Sequence, residues 1–165
     1  MICTGSYIQF MTNENGVSIS GDKGRSVGYT GASYIKLAPK KIWWDEWEEM
    51  KDKVSFYESI IFYIEMYYET VLSELEPKRV FEDLDGKVLL CFEDSKDFCH
   101  RHIVAAWLEL CLGIEVPEVQ VIDNTIVKVS KPAYVKELLS VVIKNHNSNN
   151  KILSKQNEQL RPINN

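Results

Sequence analysis

The sequence predicts an α/β domain: a compact sheet of about four to five mainly parallel strands with helices on both faces, in a three-layer, Rossmann-like arrangement. Three observations predict it. Lys87–Phe92 is a short apolar run, the pattern of a strand buried on both faces, and it leads through a polar turn, Glu93–Lys96, into a helical pattern. Ser55–Leu75 has the apolar spacing of a long amphipathic helix. Further short strand-like stretches lie before and after these two segments.

Each element has a local reason. Ser6–Phe10 and Val17–Ser20 read as short strands with Asn13–Gly16 turning between them, either paired as a hairpin or apart in the sheet. Gly21–Gly31, with four glycines and the basic pair Lys23 and Arg25, reads as a flexible surface loop or as a loop that folds over a ligand. Ile35–Lys40 is turn-like, since Pro39 disfavours helix before it. Lys41–Lys53 is a helix with Trp43 and Trp47 one turn apart, a core face or a stacking platform for a base.

In Ser55–Leu75, Ser55 and Glu58 form a capping box. Tyr57, Ile60, Ile61, Ile64, Tyr68, Val71, Leu72 and Leu75 trace the stripe that packs on the sheet, and Phe56, Tyr63 and Tyr67 form a second ridge placed to meet another helix or overhang a site. Val80–Leu84 is a short helical turn, and Gly86 opens the central strand. Asp97 is the expected cap of the following helix, beginning at about Phe98, and Gly113 its C-terminal stop. Val116–Ile122, around Pro117, reads as an edge strand and Thr125–Val129 as another extended piece. Pro132–Lys144 is an amphipathic helix opened by Ser130.

The chain of 165 residues, 45% hydrophobic, suffices for one core, so residues 1–145 are expected to form a single domain and 146–165 a polar, mobile tail. A net charge of −5 offers nucleic acid no overall basic field; only a patch built by the fold would bind it. MICTGSYIQF lacks the basic leader and apolar core of a signal peptide, and Phe56–Leu75 is broken by four glutamates, so no membrane span is expected. Cys3, Cys91, Cys99 and Cys111 show neither CxxC nor a disulfide-framework spacing, which points to reduced thiols in a cytoplasmic protein. There is no GxxxxGK[ST] or GxGxxG motif, and no cofactor is expected.

Chemistry concentrates where the central strand meets its helix. Ligands in open α/β sheets bind off the carboxyl ends of strands, where helix N-termini point. Cys99 in the first turn is either a stabilised thiolate nucleophile or a small buried apolar group. His100 is placed to act as acid, base or orienting donor, and Glu93 to accept a proton or hold Arg101. Arg101 is either a fork for phosphate or carboxylate or a structural partner of Glu93 or Asp97. His102 reads as a satisfied core histidine. A metal held by Cys99 and His102 has the reach but lacks two further ligands. Cys91 and Cys111 read as core.

The segment LLCFEDSKDFCHRHIVAAWL resembles the hallmark of the domain-of-unknown-function family numbered 488, an apolar strand ending in Cys-x-Glu followed by Cys-His-Arg at a helix start and a Trp-Leu-like pair. The matching residues are Cys91, Glu93, Cys99, His100, Arg101, Trp107 and Leu108, and the likeness covers roughly residues 6–119. It implies a compact α/β domain of bacteria, archaea or their phages, and no particular reaction.

The expected function is an enzyme that binds a small anionic ligand, a nucleotide or a nucleic-acid end. Cys99, His100 and Glu93 would be catalytic, and Arg101, Ser20, Arg25 and Tyr67 would bind the ligand. The alternative is a non-catalytic binding or interaction module in which Cys-His-Arg only fastens helix to sheet. A redox thiol protein would need a resolving cysteine, and none lies nearby in sequence.

Overall fold

The computed structural model describes residues 1–159. Its centre is a six-stranded sheet of β1 (Cys3–Ser6), β2 (Gly16–Ser18), β3 (Ala32–Ser33), β4 (Val88–Cys91), β5 (Glu118–Ile122) and β6 (Thr125–Val129). The strands lie in the order β3-β2-β4-β1-β5-β6, all parallel except the last pair. The α/β architecture is therefore as expected, with one strand more. Six helices accompany the sheet among the described residues: α1 (Tyr7–Phe10), α2 (Lys41–Met50), α3 (Phe56–Thr70), α4 (Pro77–Asp83), α5 (His100–Leu112) and α6 (Ala133–Gln159).

β4 shows how the layers arise. Its side chains alternate, as a pleated strand requires. Leu89 enters a large core with Ile60, Ile64, Ile103, Trp107 and Leu139, whereas Val88 and Leu90 enter a small one with Tyr7, Phe10 and Tyr29. The longer helices cover the first face. Among the described residues, α1 and the loop after β2 cover the second, through Tyr7, Phe10 and Tyr29.

That second face explains the first departure from expectation. Ser6–Phe10 does not extend as a strand, because β1 stops at Ser6 and Tyr7–Phe10 folds back as one helical turn. Tyr7 and Phe10 are three apart, a helical interval, and both are buried there while Ile8 faces solvent. No hairpin forms with β2 either, since β4 lies between the two.

The glycine-rich loop is held at its first half by side-chain hydrogen bonds. Asp22 accepts hydrogen bonds from Ser20 Oγ, Gly24 N, Ser26 N and Ser26 Oγ. Gly24 has φ +74°, and a Cβ there would lie 2.6 Å from the Tyr7 ring. Only glycine fits both the backbone and the contact.

The capping box at Ser55 and Glu58 forms as expected. Tyr57 and Phe56, however, are exposed, because the first turn of α3 overhangs the core. Asp97 caps nothing: α5 begins at His100 with Cys99 in the N-cap position. Pro117 precedes β5, which is not an edge strand. Asp123 and Asn124, both at positive φ, turn the chain so that β6 pairs outside it. Cys111 is exposed, since it falls on the outer side of α5. The helix after Pro132 continues to Gln159 through much of the expected tail, with His146 set edge-on against Tyr68 at 5.3 Å. The remainder of that tail, 160–165, lies outside the described residues.

Candidate active site

The carboxyl ends of β2 and β4 open into a cavity of about 520 Å³. Ser20, Gly21 and Asp22 line it from beyond β2, and Cys91, Phe92 and Glu93 from the end of β4. Cys99 and His100 supply its floor from the start of α5. Trp44 and Trp47 of α2, Tyr63 of α3 and Phe98 give it aromatic walls, and Lys41 stands among them. Trp47 is held by its Nε1–H donating to the Ser59 carbonyl at 3.0 Å. The Tyr63 ring meets Phe98 edge-on at 5.1 Å.

The reactive groups touch. His100 Nε2 lies 3.0 Å from the Ile19 carbonyl, which can only accept, so Nε2 carries the proton. In the neutral ring Nδ1 is then the bare nitrogen, 3.5 Å from Cys91 Sγ and 4.0 Å from Cys99 Sγ. The Cys91 thiol also donates to Glu93 Oε2 at 3.5 Å. Tyr67 sets its ring edge against His100 at 5.7 Å and donates its hydroxyl to the Leu37 carbonyl at 2.6 Å.

Electrostatics divides the two thiols. Burial alone would raise both. For Cys99, hydrogen bonds to Cys91 and His100 and the charges of His100 and Arg101 outweigh burial and bring its pKa well below that of an ordinary thiol. Burial, contact with Cys99 and the Glu93 charge hold Cys91 well above it. Burial opposes charge on His100, but Cys99 overcomes this and raises it. Glu93, half-buried beside Cys99, is raised to about 7. These directions favour the charged forms of Cys99 and His100 over the neutral pair, in which Nδ1 is bare, and leave Glu93 a carboxyl able to exchange a proton near neutral pH.

The structure brings Cys99, His100, Glu93 and Ser20 to one cavity. Ser20 is committed there to Tyr7 (2.7 Å) and Asp22 (2.8 Å). Arg25 is exposed in a 3₁₀ turn and does not line the cavity. Tyr67 stands behind His100, and Tyr63, one turn earlier, lines the cavity instead. Cys91 is no mere core residue; as the last residue of β4 it faces the site. Tyr63 lies on the ridge expected to meet another helix or overhang a site, whereas Trp44 was legible only as a helical aromatic, because helical spacing does not tell a core wall from a cavity wall.

Arg101 departs most from the ligand-binding expectation. It is fully buried, and its Nε and Nη2 fork onto Glu118 at 2.9–3.2 Å while Nη2 also reaches the Asp94 carbonyl at 3.0 Å. Its partner is neither Glu93 nor Asp97. Glu118 further accepts from Thr4 Oγ1 at 2.6 Å and from His102 Nε2 at 3.2 Å. This knot ties β1, β5 and α5 together. Burial opposes ionisation of Glu118, but the bonds from His102 and Arg101 prevail and keep its carboxyl below the usual range.

A depressed carboxyl pKa contributes stability that is full above its unfolded value and lost as pH falls through its folded one. Urea unfolding followed from about pH 7 to about pH 3 should therefore show a loss of stability that Glu118→Gln flattens.

No protein-family model, curated protein or solved structure matches the chain. No helix among the described residues is long and apolar enough to cross a membrane.

Proposed function

We propose that this chain is an enzyme with Cys99 as nucleophile, acting on a flat-faced anionic ligand of the nucleotide class. One observation carries the reading: His100, its tautomer set by the Ile19 carbonyl, holds Nδ1 against the sulfurs at the floor of an aromatic cavity. In the reaction the Cys99 thiolate forms a bond to an electrophilic centre of the ligand as a π bond or the bond to a leaving group at that centre breaks. Glu93, in its protonated form, donates a proton to the atom that takes the electron pair.

A volume of about 520 Å³ lies within the range of small-ligand sites. Trp44 and Trp47 offer faces for a base. The anion falls to the backbone amides of His100 and Arg101 at the start of α5, which has no side-chain cap, and to Lys41. Lys41 rests on Asp45 at 2.9 Å in an exposed pair, so redirecting it costs little. Arg101 has no part in this binding. Its burial favours the structural reading of Cys-His-Arg for that one residue. The likeness to family 488 spans the same segment and names no reaction. Free thiols accord with a reducing, cytoplasmic setting.

Iodoacetamide labelling below about pH 7.5, read by peptide mapping, tests the proposal. Cys99 should label in the folded protein, and a nucleotide that raises the melting temperature should protect it. Resistance of Cys99 until unfolding would overturn the nucleophile and leave the interaction-module reading.

A further inference from the structure

We propose that Cys91, Cys99 and His100 form a three-ligand site for a soft divalent cation of the zinc class, with the fourth position open to the cavity. The inference rests on the nucleophile reading and adds its regulation: a metal on the Cys99 sulfur masks it.

The donor set is two thiols and an imidazole, the types that select zinc over hard cations. Their ligating atoms all lie within 4.8 Å of one another. Zinc bonds of about 2.3 Å to sulfur and about 2.0 Å to nitrogen give tetrahedral edges of roughly 3.5 Å for S···N and roughly 3.8 Å for S···S. The Cys91 Sγ to His100 Nδ1 separation of 3.5 Å already has that length, and the Cys99 Sγ to Nδ1 separation is 4.0 Å.

The surroundings meet a second requirement. A metal-bound imidazole gives its other N–H to a carbonyl or carboxylate, which fixes the ring and its tautomer. The Ile19 carbonyl does this for His100 at 3.0 Å and aims Nδ1 at the sulfurs. The ligands come from the end of β4 and the start of α5, elements buried in the fold, so the tripod is held before any ion arrives. The positive Arg101 behind it is balanced by Glu118. The histidine is thus His100, since His102 is turned onto Glu118, and Cys91 is the ligand missing from the Cys99 and His102 spacing.

Binding needs no redox step. Zinc takes an electron pair from each sulfur and from Nδ1; the Nδ1 proton of the charged ring and any thiol proton still present leave to Glu93 or solvent. The fourth position faces the cavity, where water or a ligand atom can complete the tetrahedron.

The test uses the full chain, reduced and treated with EDTA. Zinc chloride titrated against a chromophoric chelator should load one equivalent, and Cys99 labelling should fall in step and return with EDTA. Cobalt(II) should give a tetrahedral thiolate spectrum. Cys91→Ser should weaken zinc at least about 100-fold, the upper end of what losing an outer-shell partner costs, while Cys99 still labels. His100→Gln provides a second removal should Cys91→Ser fail to fold. Absence of stoichiometric binding, or binding that survives both substitutions, would overturn the site. Rapid metal-free labelling of Cys99 beside absent zinc binding sinks this inference alone. A Cys99 that never labels in the metal-free protein sinks the nucleophile reading instead.

Discussion

Arg101→Ala is expected to cost about 3–5 kcal/mol of stability, the range for removing one partner of a buried ion pair. The loss is large because Glu118 would stay buried as a charge, with only Thr4 and His102 still bonded to it. For a chain of 165 residues this corresponds to a fall of roughly 6–20 °C in melting temperature, measurable by thermal or urea unfolding. Arg101→Lys should rescue little, since one ammonium cannot reproduce a fork that reaches both Glu118 oxygens and the Asp94 carbonyl. Replacing Arg101 and Glu118 together by apolar residues should recover part of the loss. Below its new melting point the alanine variant should still label at Cys99. An unchanged melting temperature with lost ligand protection would return Arg101 to the ligand.

His100→Ala is expected to slow Cys99 labelling at pH 7 by about 30-fold or more. An unassisted thiol with pKa near 8.5 is only about 3% ionised at that pH, and burial without a partner lowers the fraction further. The variant also leaves the Ile19 carbonyl without its donor. Measuring the rate against pH separates the causes. Lost thiolate stabilisation moves the midpoint of the profile upward, whereas a merely closed cavity lowers the rate at every pH. An unchanged rate and midpoint would remove His100 from the mechanism.

The site was legible wherever chemistry and chain order coincide. A strand ending at Cys91, a polar turn and a helix starting beside Cys99 place Glu93, Cys99 and His100 within a few residues of one another. Local geometry then does the rest, since any parallel strand followed by a helix delivers that turn to the carboxyl edge of the sheet. Arg101 was misassigned because neighbours in a helix point about 100° apart, so Arg101 and His100 face different surroundings.

From the sequence alone came the fold class, the long capped helix, the helix stop at Gly113 and the cluster of reactive types at the sheet edge, all written in intervals of two to four residues. Tertiary structure alone decided that Cys91 stands beside Cys99, that Glu118 takes Arg101 from 17 positions away, and that Ile19, 81 positions from His100, sets its tautomer. Such pairings depend on which strands become neighbours. Strand order is set by the burial of whole faces, which no local spacing records.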